Sequence, residues 1–205
     1  MTPLKRLFGD GFRVFFLAAG LFALFSMAVW EFYQIVQALG GVLDLPTAAP
    51  PHLWHAHEMI FGYGSAALAG FLLTAVPSWT GAKSAPHRVI AVVAGLWLAG
   101  RIAVWASGSL PSALVAVVDL GFVPVLAANL LTQLIKRPKP QQMIILAILT
   151  TYWIANLMVH LEWTGLTADT AWAGLRAGLL TLGAMIMVLG GRVTPGFTKN
   201  AMVQS

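Results

Sequence analysis

The sequence contains no cysteine and very little charge. Without cysteine the chain cannot form a disulfide, a zinc ribbon or an iron–sulfur cluster, and it cannot ligate haem through a thiolate or attach haem covalently. Only 9% of the 205 residues are charged and 59% are hydrophobic, whereas roughly a quarter of the residues of a soluble domain are charged. This composition predicts a protein embedded in a lipid bilayer, where a spanning helix needs ~20 mostly apolar residues.

Several motifs of enzymes and binding proteins are also missing. The segment HEMIF at 57–61 lacks the second histidine of a zinc-protease motif, because Phe61 stands in its place. The serines lack a nucleophile-elbow context, and the sequence has no glycine-rich phosphate loop. The formal net charge of +5 lies in short loops between apolar runs. It therefore indicates membrane topology, and we expect no nucleic-acid partner.

Six apolar segments predict an all-α, polytopic membrane bundle that forms a single domain over residues 1–205. The predicted segments are 13–39, 57–79, 89–107, 112–135, 142–162 and 171–190. Glycine and proline stand at most of the boundaries between them. Pro124 lies inside the fourth segment, where we expect it to disturb the helix locally.

The loops between these segments alternate in charge. The connections at 80–88 and 136–140 are basic, as are both termini, whereas those at 40–56 and 162–170 contain acidic residues and no lysine or arginine. Positively charged loops stay on the cytoplasmic side. Both termini are therefore predicted to be cytoplasmic, in a multi-pass protein of the bacterial inner membrane.

Each predicted segment places an ionisable residue in its outer half, if depth is counted at ~1.5 Å per residue. Ionisable residues inside a membrane are costly and usually face a bundle interior or a cavity. Snorkelling to the interface is an alternative for His160 and Glu31, but it fits Arg101 and Asp119 poorly. We therefore predict a functional site in the outer half. The residues of this layer are Glu31, His55, His57, Glu58, Arg101, Asp119, His160 and Arg176.

Three of the five histidines lie in one short stretch, HLWHAHEMIFGYG at 52–64. His55 and His57 are about 200° apart around a helix, so a regular helix cannot present both to one metal ion. His52 and Met59 lie three and four residues from His55, on the same helical face. Since copper accepts imidazole and thioether ligands, His55 with His52 or Met59 is a candidate copper site. Ordinary solvation of His52 and packing of Met59 are the alternatives.

On this geometry His57 faces the bundle, at the same depth as His160 of the fifth segment. Two histidines on separate helices can hold a haem between them, which makes both candidate axial ligands of a haem b. Arg101 and Trp105, one turn apart, are suited to the haem propionates, because a guanidinium pairs with carboxylates. The further candidate contacts with the cofactor are Gly64, which leaves room for a macrocycle, and Arg176.

Three blocks of this sequence resemble the NnrS family of bacterial haem- and copper-containing membrane proteins. They are HAHEMIFGYG at 55–64, AGFLLTAVPSWTG at 69–81 and GGRVTPGFT at 190–198, in the same order and context. The resemblance implies an inner-membrane protein of nitric oxide metabolism that contributes to nitrosative stress resistance. It implies haem and copper as cofactors and nitric oxide or a related small molecule as ligand. Within these blocks it points to His55, His57, Glu58, Arg192 and Pro195, and it makes His160 a plausible addition.

Typical members of the family look about twice as long as this chain. We therefore expect a short member, a split half or a truncated product, whose site is complete within six helices or is completed by a homodimer or a second-half partner. The sequence leaves open whether nitric oxide is turned over or only bound.

Two other functions fit parts of the same pattern. A copper or haem transporter or assembly factor is favoured by discontinuous helices, for which Pro124 is the one hint. A quinol-linked cytochrome b would need histidine pairs at two depths. The inner half of the predicted bundle has no intramembrane histidine, which argues against the cytochrome.

Overall fold

The computed structural model describes residues 3–135 and 140–204, so that the basic segment 136–139 lies outside the described residues. Within those ranges the chain is helical and contains no strand, which confirms the predicted all-α class. The helices are Pro3–Leu7, Gly11–Ala38, Pro51–His57, Glu58–Tyr63, Gly64–Thr80, His87–Trp105, Ser112–Leu120, Phe122–Leu134, Pro140–Trp163 and Ala171–Gln204.

Six helical stretches are long and apolar enough to cross a membrane, as the sequence predicts. We call them the first to sixth spans; they are Gly11–Ala38, Pro51–Thr80, His87–Trp105, Ser112–Leu134, Met143–Trp163 and Ala171–Val203. The second begins at Pro51 and not at 57, because Pro51 occupies the first helical position, where the missing N–H costs nothing. The sixth continues beyond the predicted end at 190 through Pro195, since glycine and proline are tolerated in membrane helices.

The second span is the central helix of the bundle and the most deeply buried of the six. It packs against the first and fourth spans, while the fifth and sixth pack extensively against each other. Leu72 and Val76 of the second span are fully buried, as is Phe15 of the first. The polar residues near the start of the second span are therefore held in the interior of the protein.

The second span contains one wide helical turn. Residues Glu58–Tyr63 form a π-helix between two α-helical parts. Two carbonyls of this turn receive side-chain donors from neighbouring helices. The Tyr152 hydroxyl donates to the carbonyl of Ile60, and the Trp97 indole donates to that of Gly62 over 3.0 Å. Such turns are frequent at functional sites, and this one directly follows His57.

The fourth span is interrupted between Ser112–Leu120 and Phe122–Leu134, close to Pro124. Proline has no backbone N–H, so Pro124 cannot complete the helical hydrogen bond to the carbonyl of Leu120. The Trp153 indole of the fifth span donates to that carbonyl instead, over 2.9 Å. The local disturbance predicted for this proline is present, and Asp119 lies at its edge.

A candidate metal centre between four spans

Six buried polar side chains meet at one end of the bundle, and we call them the buried polar group. They come from the second, third, fourth and fifth spans, and each is at most 5% exposed. The members are His57, Glu58, Arg101, Asp119, Asn156 and His160. The loops at 39–50, 106–111 and 164–170 lie at the same end, because successive spans run in opposite directions.

The carboxylate of Asp119 is the centre of this group. Its Oδ2 accepts hydrogen bonds from His160 Nε2 at 2.8 Å and from the Asn156 amide nitrogen at 2.9 Å. The Nε2 atom of His57 lies 3.4 Å from the same oxygen. The other oxygen, Oδ1, accepts from Nη2 of Arg101. Three spans therefore converge on one side chain of the fourth.

Both ring nitrogens of His57 face oxygen acceptors. Nδ1 lies 2.8 Å from Oε1 of Glu58, and Nε2 lies 2.9 Å from Oδ1 of Asn156. These two contacts hold the imidazole ring of His57 in one orientation, as outer partners of a ligating histidine do.

The guanidinium of Arg101 is paired with the two carboxylates of the buried polar group, those of Glu58 and Asp119. Its Nη1 lies 2.5 Å from Oε1 of Glu58. A buried charge is costly unless it is paired and hydrogen-bonded, and this pairing explains how Arg101, Glu58 and Asp119 coexist in the interior.

Two glycines make room for the contacts of Arg101. A Cβ atom at Gly62 would lie 2.8 Å from Nη1 of Arg101, and one at Gly100 would lie 3.0 Å from Oδ1 of Asp119. Both distances are too short for ordinary contacts. The absence of a side chain at these positions therefore lets the second, third and fourth spans approach closely enough for the ion pairs to form.

Three atoms of the buried polar group are arranged as metal ligands. Ligand atoms of His57, Asp119 and His160 all lie within 4.8 Å of one another, and no other such triad occurs in residues 3–135 and 140–204. Two ligands bound at ~2.1 Å in tetrahedral geometry are separated by ~3.4 Å. The 3.4 Å from Asp119 Oδ2 to Nε2 of His57 matches that separation, whereas the 2.8 Å to Nε2 of His160 is a hydrogen-bond distance that an ion would lengthen. The three ligand atoms are close enough together to share one small cation.

The same pair of histidines is not spaced around a porphyrin. The centroids of the two rings are 5.4 Å apart, and the ring planes are nearly perpendicular, at 84°. Both Nε2 atoms point at Asp119, and Asn156 contacts the one on His57. A haem held between two imidazoles needs an open slot between them, and here protein atoms occupy that space. The donor set thus fits an ion and does not fit a haem between these two rings.

The other candidate contacts of a haem have protein partners. Arg101 is engaged by the two carboxylates. The Trp105 ring packs against those of Phe25 and Trp54, with both centroid distances at 5.2 Å. A Cβ atom at Gly64 would meet Leu182 of the sixth span at 2.9 Å, so this glycine serves close helix packing.

The residues predicted as a copper site lie against different helices. The His55 ring stacks on Trp30 of the first span, with centroids 4.8 Å apart, while the His52 ring lies 6.0 Å from Trp172 of the sixth. His55 and His57 thus point in different directions, as their spacing requires. Met59 is partly buried in the wide turn.

Besides His55, two further members of the predicted layer lie outside the buried polar group. Glu31 of the first span and Arg176 of the sixth are both exposed. Four spans, and not six, therefore supply the charged and polar side chains that meet in the interior.

Asn156 belongs to the site although the histidines and charges did not point to it. It lies four residues before His160 on the fifth span, and Tyr152 lies four residues before Asn156. Residues four apart share a helical face. The spacing of Tyr152, Asn156 and His160 on one helical face is the sequence feature that indicates a role for Asn156.

A small cavity connects the outside of this end of the bundle with His160; we call it the vestibule. Its volume is about 250 Å³, and its lining includes His160, Glu162, Trp163, Ser107, Ser112 and Pro50. The Trp163 indole N–H is buried and has no hydrogen-bond partner among the described residues. The vestibule therefore brings a small ligand next to His160 and Trp163.

The loop that covers the vestibule is tied to the neighbouring loop. The backbone N–H of Ala48 donates to the Ser107 hydroxyl, and that of Gly108 donates to the carbonyl of Pro46, both over 2.9 Å. These two hydrogen bonds fix the position of residues 46–50 over the opening.

The fold and the buried polar group together define a polytopic helical membrane protein with a histidine–carboxylate group of metal-binding type. A scan against protein families matches residues 6–205 to the family described as NnrS protein. The chain therefore belongs to the NnrS family, as its three sequence blocks indicate. Membership suggests a haem- or metal-binding membrane protein linked to nitric oxide. Neither the curated proteins nor the solved structures contain a match to this chain.

Proposed function

We propose that this chain binds one iron or copper ion at His57, Asp119 and His160, and that the bound ion takes up nitric oxide or a related small ligand through the vestibule. The protein would act in the bacterial inner membrane, with the site in the outer half and both termini cytoplasmic. The observation that carries this proposal is the convergence of two histidine Nε2 atoms on one carboxylate oxygen, inside a membrane bundle of the NnrS family.

The chemistry of the donor set favours a redox-active ion. Two imidazoles and one carboxylate with open coordination positions are typical of non-haem ferrous centres, and imidazole also suits copper. When bound, such an ion supplies the open position to which nitric oxide attaches. A small apolar gas partitions into the bilayer, so a site within the membrane is accessible to it. The haem b and the second, copper-binding cluster that the sequence suggests stay predictions.

The surrounding residues would orient the ligands. Glu58 holds Nδ1 of His57 and thereby fixes the ring with Nε2 toward Asp119. Arg101 anchors both carboxylates, at Oε1 of Glu58 and at Oδ1 of Asp119. Such outer contacts usually set the tautomer and orientation of a ligating histidine. The Trp163 N–H, which faces no acceptor in the described chain, would donate to a ligand held next to His160.

The metal content of the purified protein tests whether one ion binds at His57, Asp119 and His160. The full chain, purified in detergent from cells grown with iron and copper, should contain about one such ion. His57→Ala and His160→Ala should each lose most of it, whereas the controls His52→Ala and His55→Ala should retain it. A pyridine haemochrome assay on the same samples measures haem separately. If the His52 or His55 variant loses the metal while the His160 variant keeps it, the proposed centre is wrong.

The role of the vestibule has its own test. Trp163→Phe removes the indole N–H and keeps the ring, so metal content should remain at the wild-type value. Nitric oxide affinity, followed by optical titration of the reduced protein, should fall roughly tenfold, because one hydrogen bond contributes about 1 kcal/mol and a desolvated one more. An unchanged affinity would exclude Trp163 from ligand binding.

A copper transporter or assembly factor is the second candidate, and the interrupted helices favour it. The fourth span breaks beside Asp119, and the second widens directly after His57. Discontinuous spans near a bound ion are common in transporters. Copper uptake by vesicles containing the purified chain, lost in His57→Ala, would support transport. A stably bound ion that does not exchange across the membrane would support the first function.

A further inference from the structure

A second cavity lies at the opposite end of the bundle, and we call it the aromatic groove. It is bounded by the first, second and sixth spans and has a volume of about 540 Å³. Five of its twelve lining residues are aromatic, and Arg192 is the cation among the twelve; the aromatic residues are Phe12, Phe16, Phe71, Trp79 and Phe197. No acidic side chain and no histidine or methionine lines it within the described chain.

Arg192 is poorly matched to this apolar surrounding. The carbon of its guanidinium lies 4.0 Å from the centroid of the Trp79 ring, which holds the side chain in place by a cation–π contact. Its Nη1 atom is buried and has no hydrogen-bond partner in the described chain. A buried donor without an acceptor is costly, and more so when it is charged. An anion bound in the groove would satisfy this donor.

The nearest part of the first span does not supply that anion. Asp10, just before this span, is paired with Arg13 over 2.9 Å. Nor does the groove have an axial ligand for haem, since imidazole, thiolate and thioether are all missing from the residues that line it. The class of ligand that suits the groove is therefore a molecule with an anionic head group joined to an apolar chain.

We propose that the aromatic groove binds one anionic phospholipid, with the phosphate on Arg192 and an acyl chain along the phenylalanine side chains. Guanidinium groups bind phosphate bidentately. The groove lies near the basic loop at 80–88 that follows the second span, and basic pockets between membrane helices on the cytoplasmic side are known sites for acidic lipid head groups. This site is separate from the buried polar group and does not depend on the metal.

The chain offers matched variants for both halves of the site. Arg192→Gln removes the charge, and Arg192→Lys retains it. Gly196→Leu fills the groove, because a Cβ atom at Gly196 meets nothing within 4 Å and the new side chain has open space. Arg88→Gln is the control, since Arg88 is an exposed arginine at the same end that does not line the groove.

Native mass spectrometry of the delipidated full chain, equilibrated with mixed micelles of phosphatidylglycerol and phosphatidylcholine, measures the preference. The wild type and Arg88→Gln should retain one phosphatidylglycerol in preference to phosphatidylcholine. Arg192→Gln should reduce that preference about fivefold, the effect of one basic residue near anionic lipid, and Arg192→Lys should largely keep it. Gly196→Leu should reduce the retention of both lipids.

Two results would overturn the proposal. Equal phosphatidylglycerol retention by Arg192→Gln and Arg88→Gln would show that the groove arginine does not bind the head group. A purified protein whose haem absorbance is lost in Arg192→Gln, with lipid retention unchanged, would show that haem occupies the groove. If Arg192→Gln fails to fold, the Gly196→Leu variant, which leaves Arg192 intact, still decides whether the groove is filled by lipid.

Discussion

The Trp153 indole and the backbone carbonyl of Leu120 form a hydrogen bond of 2.9 Å between the fifth and fourth spans. That carbonyl has no helical partner, because Pro124 stands four residues later and carries no N–H. In a bilayer, water cannot replace a missing donor, and each unsatisfied backbone group is costly. A side chain of one helix thus completes the backbone of another, directly beside Asp119.

Replacing Trp153 by Phe should destabilise the protein by about 1–3 kcal/mol, the cost of leaving a buried acceptor unpaired. Reversible unfolding in mixed micelles measures the change in the free energy of unfolding. Trp172→Phe is the matched control, because Trp172 is 52% exposed and should change little. Equal stability of the two variants would mean that the carbonyl of Leu120 finds another donor.

Gly100→Ala should destabilise the protein by about 1–3 kcal/mol, since overpacking forces neighbouring atoms apart. The added methyl group would lie 3.0 Å from Oδ1 and 3.3 Å from Cα of Asp119. Gly95→Ala on the same helix is the control, because its Cβ meets nothing within 4 Å. There the better helix propensity of alanine should leave stability unchanged or raise it by up to ~1 kcal/mol. The thermal unfolding midpoints of both variants provide the measurement, and a Gly100 variant as stable as wild type would argue against close packing at Asp119.

Removal of the metal should lower stability if the centre proposed at His57, Asp119 and His160 is correct. A ligand present at 100 times its dissociation constant stabilises the folded state by ~2.7 kcal/mol. Dialysis of the wild type against a chelator should remove that amount, and re-addition of the metal should restore it. His160→Ala should show no difference between the two conditions. A chelator effect of the same size in this variant would place the stabilising metal elsewhere.

The predicted orientation can be measured with single cysteines, because the natural sequence contains none. Ser84 and Ser109 are exposed in the second and third loops between spans. In spheroplasts, a membrane-impermeant maleimide should label Ser109→Cys, whereas Ser84→Cys should react only after lysis. The cysteine-free chain gives the background. The reverse pattern of labelling would place both termini outside.

The six spans could be predicted because bilayer thickness sets the length of an apolar helix, and the charge of the intervening loops marks their ends. The boundaries that differ have a local cause. Pro51 belongs to the second span because proline fits a first helical turn, and Pro195 lies within the sixth although the GGRVTPGFT block has the residues of a helix end. Inside a membrane no water competes for the backbone N–H and C=O groups, so a helix continues through glycine and proline more often than in a soluble protein.

The buried polar group was predictable only in outline. The cost of charge inside a membrane identified Arg101 and Asp119 as interior residues, and the 200° separation of His55 and His57 indicated that they diverge. The partner of each side chain could not be predicted, because pairing depends on how each helix is rotated about its axis. The role of Asn156 and the positions of Gly62 and Gly100 follow from that rotation. The exposed positions of Glu31 and Arg176 follow from it too.

The wide turn at Glu58–Tyr63 changes the direction in which the side chains of the second span point before and after it. One extra residue in a helix shifts every later side chain by about 100° relative to the earlier ones. The half that carries His57 and the half that carries Leu72 therefore belong to two different helical registers. Residues spaced three or four apart therefore do not stay on one helical face from the first half to the second. Deleting one residue from 58–63 would merge the registers, and either the histidine or the apolar half would then turn away from its neighbours. The length of this turn is thus as much a part of the site as the side chains it presents.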